Sequence, residues 1–251
     1  MLKWEVNQGY QPSGATCVHA TLYGSLEVLQ WAQEEGRCPW NATVCASAAM
    51  SGHLEVLKWA HEHGCPWDEG ACSGAAYGGH LEVLKWLREH GCSWNADTAS
   101  LGVCSGNWEL MKWLQEQGCP WDEMACAAAA CANHLKMLKW LRAHGCPWNG
   151  LTCNYAAAQG HLDLLQWAVE NGCTWDGTPF TEAAEHGHLH ILEWLHKEKG
   201  FPWTDWTCAA AAGAGRLNVV KWLRENGCPW DELAFALAAI RKNNMEVLQG
   251  C

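Results

Sequence analysis

A tryptophan recurs at Trp4, Trp31, Trp59, Trp86, Trp113, Trp140, Trp167, Trp194 and Trp222, 27 or 28 residues apart and always at helical spacing from its apolar neighbours. A fixed period of this size marks a tandem array, in which each unit buries its apolar face against the next and no single central core exists. A second tryptophan follows each helical one in a short loop, at Trp40, Trp67, Trp94, Trp121, Trp148, Trp175, Trp203 and Trp230. Residues 1–251 therefore read as one array of about nine units, the first and last incomplete.

The hydrophobic fraction of 49% against 17% charged residues supplies enough apolar surface for a folded array. The balance of 16 basic and 27 acidic residues, a net charge of −11, disfavours nucleic acid as a ligand and points to protein partners with a basic surface. No stretch of 18 apolar residues suggests membrane insertion, and the start Met1-Leu2-Lys3-Trp4 does not resemble an export signal. A soluble, intracellular protein in the reducing cytoplasm is expected.

The 16 cysteines recur with the repeat. The loop cysteine (Cys38, Cys65, Cys92, Cys119, Cys146, Cys173, Cys228) is replaced by Phe201 in one unit and Tyr10 in another. The helix cysteine (Cys17, Cys45, Cys72, Cys126, Cys153, Cys208) gives way to Ala99, Phe180 or Phe235. Replacement by Phe or Ala predicts reduced thiols serving as small buried apolar groups.

Residues 67–92 show what one unit encodes. Asp68 is placed to cap a first helix, a position shared by Asn41, Asn95, Asp122, Asn149, Asp176 and Asp231. Cys72, Ala75 and Ala76 lie along that helix, and the Ala-Ala pair recurs in most units, where small side chains let adjacent units approach closely. Gly79 supplies a left-handed residue at the helix end, replaced in one unit by Asn133, the other residue tolerant of that conformation. In the second helix Leu81, Leu84 and Leu87 form one apolar row and Val83 and Trp86 another, leaving Glu82, Lys85, Arg88 and Glu89 for solvent. Trp86 and Trp94 are both expected to be buried. Gly91 and the Cys-Pro-Trp step found in most units then turn the chain into the next helix. A leucine-rich repeat would need alternating Leu-x-Leu and an Asn ladder, whereas Leu81-Glu82-Val83-Leu84 continues at helical spacing to Leu87.

The run Thr178-Pro179-Phe180-Thr181-Glu182-Ala183-Ala184-Glu185-His186-Gly187-His188-Leu189 resembles the ankyrin signature, and its Gly-His step returns at Gly52-His53, Gly79-His80 and Gly160-His161. The resemblance covers nearly the whole chain. It implies an all-α solenoid of stacked helix-turn-helix units. Ankyrin units have 33 residues with a β-hairpin finger; about six residues are missing here, too many to leave a long finger. In this the chain is similar to the short, Trp- and Cys-rich ankyrin-type units of protists and large viruses. The paired tryptophans are expected to restore the area that the missing fingers would bury.

Chemistry outside the repeat is sparse. His63-Gly64-Cys65 and His90-Gly91-Cys92 have the look of metal ligands, but the same positions read Gln117-Gly118-Cys119 and Asn171-Gly172-Cys173, so no constant ligand set exists. The histidine of the Gly-His step, replaced by Ser25, Asn107 or Arg216 elsewhere, is read as a helix-start residue. No nucleophile with its base, phosphate loop or carboxylate pair stands apart from the pattern. The chain is expected to be non-catalytic, with no cofactor and no metal.

If packing fixes the repeated positions, function belongs to those that vary and point outward from the first helices. The resemblance places these just after the Ala-Ala pair, on the concave side, and the candidate contacts are Met50, Tyr77, Cys104, Tyr155, Gln159, Glu185, His186 and Trp206. The expected role is a protein-binding scaffold acting through this face, as a monomer or as part of a larger complex. The alternative is a structural subunit, a spacer or clamp, held in a large assembly. The chain begins and ends inside second-helix patterns without polar caps, as a segment of a longer protein would.

Overall fold

The structure is a computed structural model that describes residues 14–34, 40–175, 177–197, 203 and 206–229. Among these it contains 16 helices and no strand. They are α1 (Gly14–Leu22), α2 (Leu26–Glu34), α3 (Ala42–Met50), α4 (Leu54–Glu62), α5 (Glu69–Tyr77), α6 (Leu81–Glu89), α7 (Ala96–Ser105), α8 (Trp108–Glu116), α9 (Glu123–Cys131), α10 (Leu135–Ala143), α11 (Gly150–Ala158), α12 (Leu162–Glu170), α13 (Thr178–His186), α14 (Leu189–Lys197), α15 (Thr207–Gly213) and α16 (Leu217–Glu225). Only His63 to Asp68 join α4 to α5, too short a connection for a hairpin finger.

Caps start the first helices where the sequence indicates. Asp68 accepts a hydrogen bond from the Gly70 amide at 2.9 Å, Asp122 from Met124 at 2.9 Å and Asn149 from Leu151 at 3.0 Å. Asn95 and Thr98 form a reciprocal capping box. Asn41 departs from this pattern: it sits at the N-cap without capping, because its side-chain oxygen accepts from the Thr43 hydroxyl at 2.6 Å instead. Asp176 and Asp231 lie outside the described residues. At the far end, Gly79 has φ +73° and Asn133 φ +57°, the left-handed geometry that the Gly-to-Asn exchange anticipates.

The chain forms two compact units, residues 1–125 and 126–251. In the first, α1, α3, α5 and α7 pack side by side in chain order, and each rests on the second helix that follows it. The second unit repeats the arrangement with α11, α13 and α15. Close contact between first helices follows from their alanines: Ala48, Ala49, Ala75, Ala76, Ala156, Ala157, Ala183 and Ala184 are fully buried. A Cβ on Gly74 would come within 2.7 Å of the Ala46 carbonyl oxygen, so α5 meets α3 nearly backbone to backbone. Leu57, Leu84, Leu110, Leu138, Leu165 and Leu192 fill the space between the layers.

The tryptophans differ from expectation. Trp86 and Trp94 are half-buried. Loop Trp residues meet the next helical Trp, Trp67 with Trp86 at 5.7 Å, Trp94 with Trp113 at 5.8 Å and Trp148 with Trp167 at 5.7 Å between ring centroids. A planar side chain from the preceding second helix covers the loop ring. His61 stacks on Trp67 at 3.6 Å, Arg88 on Trp94 at 4.0 Å, Arg142 on Trp148 at 4.3 Å and His196 on Trp203 at 4.3 Å. Arg88 is thus part of the packing instead of a solvated charge, and the aromatic band closes the outside of the fold.

The Gly-His histidines also act differently from helix-start caps. His53, His80 and His161 make no cap bond to their own helices. Three of the histidines at this step reach back to the preceding repeat: Nε2 of His53 donates to the Leu22 carbonyl at 3.1 Å, that of His161 to the Cys131 carbonyl at 3.2 Å, and that of His188 to the Ala158 carbonyl at 2.9 Å. Arg216 does the same to the Glu185 carbonyl at 2.9 Å. These carbonyls end the preceding first helix, so each unit satisfies acceptors that its predecessor leaves open.

Candidate partner-binding face

The last turn of each first helix is where the buried alanine stripe gives way to solvent. In the first unit that turn presents Met50 on α3, Tyr77 on α5 and Cys104 on α7, all exposed, with Tyr77 keeping 52% of its surface. In the preceding repeat, Tyr23 just beyond α1 is 83% exposed. Sequence comparison missed Tyr23 because Ala20-Thr21 stands there in place of Ala-Ala; aligning Gly24-Ser25 with Gly52-His53 places Leu22 opposite Met50 and Tyr23 one position further on, opposite Ser51. Met50, Tyr77 and Cys104 thus occupy equivalent positions on successive first helices, with Tyr23 exposed one position beyond the equivalent Leu22, on a surface whose neighbouring structural positions are buried.

The second unit presents different chemistry at the same positions. Cys131 is exposed, whereas Ala158 is buried at 8%, so the row is interrupted there. Glu185 and His186 are exposed on the last turn of α13. Tyr155 and Gln159 are exposed with Leu151 at i, i+4, i+8 spacing along α11. Trp206, at the N-cap of α15, is 59% exposed. The eight candidate residues therefore all reach solvent, in two groups: Met50, Tyr77 and Cys104 in the first unit, and Tyr155, Gln159, Glu185, His186 and Trp206 in the second.

A cleft of about 340 Å³ opens beside α13 and is lined by His186, Gly187, Gly215, Arg216, Leu217, Asn218 and Val219. His186 Nδ1 donates to the Glu182 carbonyl at 3.0 Å, and its ring lies parallel to that of His188 with centroids 6.4 Å apart. Burial holds His188 below its ordinary pKa of 6.5, opposed by its bond to Ala158 and aided by the neighbouring His190, His186 and Arg216. The outer face is uniform: Lys58, Lys85 and Lys112 pair with Glu55, Glu82 and Glu109 at 2.9, 2.8 and 3.1 Å. Lys139 breaks the series by lying over the Trp167 ring at 5.5 Å.

Among the described residues, no three His, Cys, Asp or Glu side chains come together in an arrangement that could hold a metal ion. No helix among them is long and apolar enough to cross a membrane. Two stretches, residues 45–88 and 153–196, match the family model of ankyrin repeats. No curated protein matches the chain.

Proposed function

The chain belongs to the ankyrin-repeat family, and from that premise we propose that it is a non-catalytic scaffold binding a protein partner through its first-helix face. Ankyrin repeats generally mediate protein–protein interaction. The observation that carries the reading is the exposed row Tyr23, Met50, Tyr77 and Cys104. Large apolar side chains held in solvent at the ends of successive first helices mark an interaction surface, and tyrosine is enriched among residues that dominate binding energy. Tyr155, Gln159, Glu185, His186 and Trp206 extend the contact in the second unit. The charge of −11 suits a partner whose surface around that contact is basic.

Two further parts of the proposal rest on the sequence pattern and on the cysteines. The unbroken tryptophan period supports residues 1–251 as one array. Thirteen of the described cysteines are thiols, which suits a reducing cytoplasm, although Cys17 is disulfide-bonded.

The test is affinity capture with the full chain, comparing Tyr23→Ala and Tyr77→Ala with the outer-face changes Lys58→Ala and Lys85→Ala. A partner held by the wild type and by both lysine variants, and lost from the tyrosine variants, supports the reading. Loss from the lysine variants alone overturns it. Recovery only as a fixed component of a large assembly assigns the chain to the structural-subunit class.

A further inference from the structure

The cysteines of one unit come together in the fold. The helix cysteine and the loop cysteine 20 positions later meet in the core, with the Sγ atoms of Cys126 and Cys146 3.6 Å apart. Cys45 and Cys72 lie against their loop partners in the same way, their thiols donating to the backbone carbonyls of Cys65 and Cys92 at 4.0 Å, and Cys153 interacts with the side chain of Cys173. All eight are buried. The sulfur of the loop cysteine also donates to the carbonyl of the N-cap residue that opened its unit, Cys92 to Asp68 and Cys173 to Asn149, both at 3.2 Å.

Two departures in the sequence follow the pairing. Where Phe180 replaces the helix cysteine, Phe201 replaces its loop counterpart, so both thiols are lost together. Where Ala99 replaces it, Cys119 remains with no thiol from the helix, and burial raises its pKa to about 12. Cys17, at the helix position of the first described unit, is disulfide-bonded. This corrects, at that one position, the expectation that the cysteines are reduced thiols.

We propose that each of these four helix–loop cysteine pairs is a modification site at which a hydroperoxide closes a disulfide within one repeat. The thiolate of one cysteine attacks the peroxide, breaking the O–O bond to give a sulfenic acid and one water from hydrogen peroxide. The second sulfur then attacks the sulfenic sulfur, forming the S–S bond and releasing the oxygen as a second water. Two thiol hydrogens and two electrons leave the protein, and the peroxide is reduced. The sulfurs need to move from 3.6 Å to a bond of about 2.05 Å, which lies within the reach of side-chain rotation and small backbone shifts.

The side-chain interaction with Cys72 holds Cys92 below the ordinary thiol range against the opposing effect of burial, and Cys153 does the same for Cys173. Cys65 is pushed up, first by its side-chain interaction with Cys45 and then by burial. Peroxide is small enough to reach these buried positions through local opening of the loop.

The full chain is treated with hydrogen peroxide, the remaining thiols are alkylated in denaturant, and digested peptides are mapped by mass spectrometry. The expected map links Cys45–Cys65, Cys72–Cys92, Cys126–Cys146 and Cys153–Cys173, and leaves Cys119 outside any link within its repeat. The change A99C gives Cys119 a partner, and an additional link appears there; Cys72→Ala removes the Cys72–Cys92 link and no other. Links that join cysteines of different repeats, or paired cysteines that over-oxidise to the same extent as exposed Cys104 and Cys131, overturn the proposal. The wild-type map decides the matter even if a variant fails to fold.

Discussion

The row Met50, Tyr77 and Cys104 and the row from Cys131 to Gly213 stand on the same backbone positions, yet one is apolar and continuous and the other is mixed and interrupted. Beneath them nothing comparable changes. Leu84 and Leu165 are equally buried, Ala75-Ala76 and Ala156-Ala157 pack alike, and the Trp67–Trp86 and Trp148–Trp167 contacts have the same 5.7 Å separation. The contrast shows that packing constrains the inward positions in both units and leaves the outward residue at each helix end to vary. The proposed partner would meet hydrophobic surface in one unit and ionisable groups around Arg216 in the other.

The largest effects should appear where the two units are the same. Leu84→Ala in the first and Leu165→Ala in the second should each destabilise by about 2–5 kcal/mol as fully buried large-to-small changes. Chemical denaturation checks this, and a loss confined to one unit would break the equivalence. Trp86→Ala should cost less, about 2 kcal/mol, because part of the ring surface stays in water and what is lost is partial burial plus its contact with Trp67. A loss as large as that of Leu84→Ala would show that the aromatic band is core.

Smaller changes sharpen the comparison at single bonds. Asp68→Ala should lose about 1 kcal/mol with its cap bond to Gly70, whereas Asn41→Ala should lose less, since Asn41 makes no such bond. Equal losses in thermal unfolding would mean that the Asn41–Thr43 contact stabilises its helix just as well. The smallest effect concerns acid. His188 is held below its ordinary pKa of 6.5 by burial, so the fold favours the neutral ring. That contribution is present above pH 6.5 and is lost as pH falls through the lowered folded value. His188→Asn should flatten this part of the pH profile and keep the backward hydrogen bond, as Asn107 does to the Gly79 carbonyl at 2.9 Å. An unchanged profile would place the acid sensitivity elsewhere.

The helices, their caps and their left-handed ends were legible because each depends on residues a few positions apart. Asp68 with Gly70, and Asn133 in a glycine position, announce their geometry locally. The outward turn was legible as well, because internal comparison separates what varies from what repeats. Half-burial of Trp86 was not, since it depends on His61 and Trp67 arriving from the preceding helix and loop. The same holds for His53, whose bond partner Leu22 is 31 residues away and belongs to another unit. The cysteine pairs left a trace in the joint loss at Phe180 and Phe201, but each position taken alone showed only a small buried group accepting Phe or Ala.

The backward bonds of His53, His161, His188 and Arg216 give the repeat a grammar. Each spans 30 or 31 residues and answers an acceptor in the unit before it. An insertion or deletion of one whole period keeps donor and acceptor in register. A change of half a period would strand a carbonyl on one side of the junction and a histidine on the other. Length can therefore evolve in this protein by copying or dropping complete units, and the side chain that enforces this is also the one that fixes the reading direction from one repeat to the next.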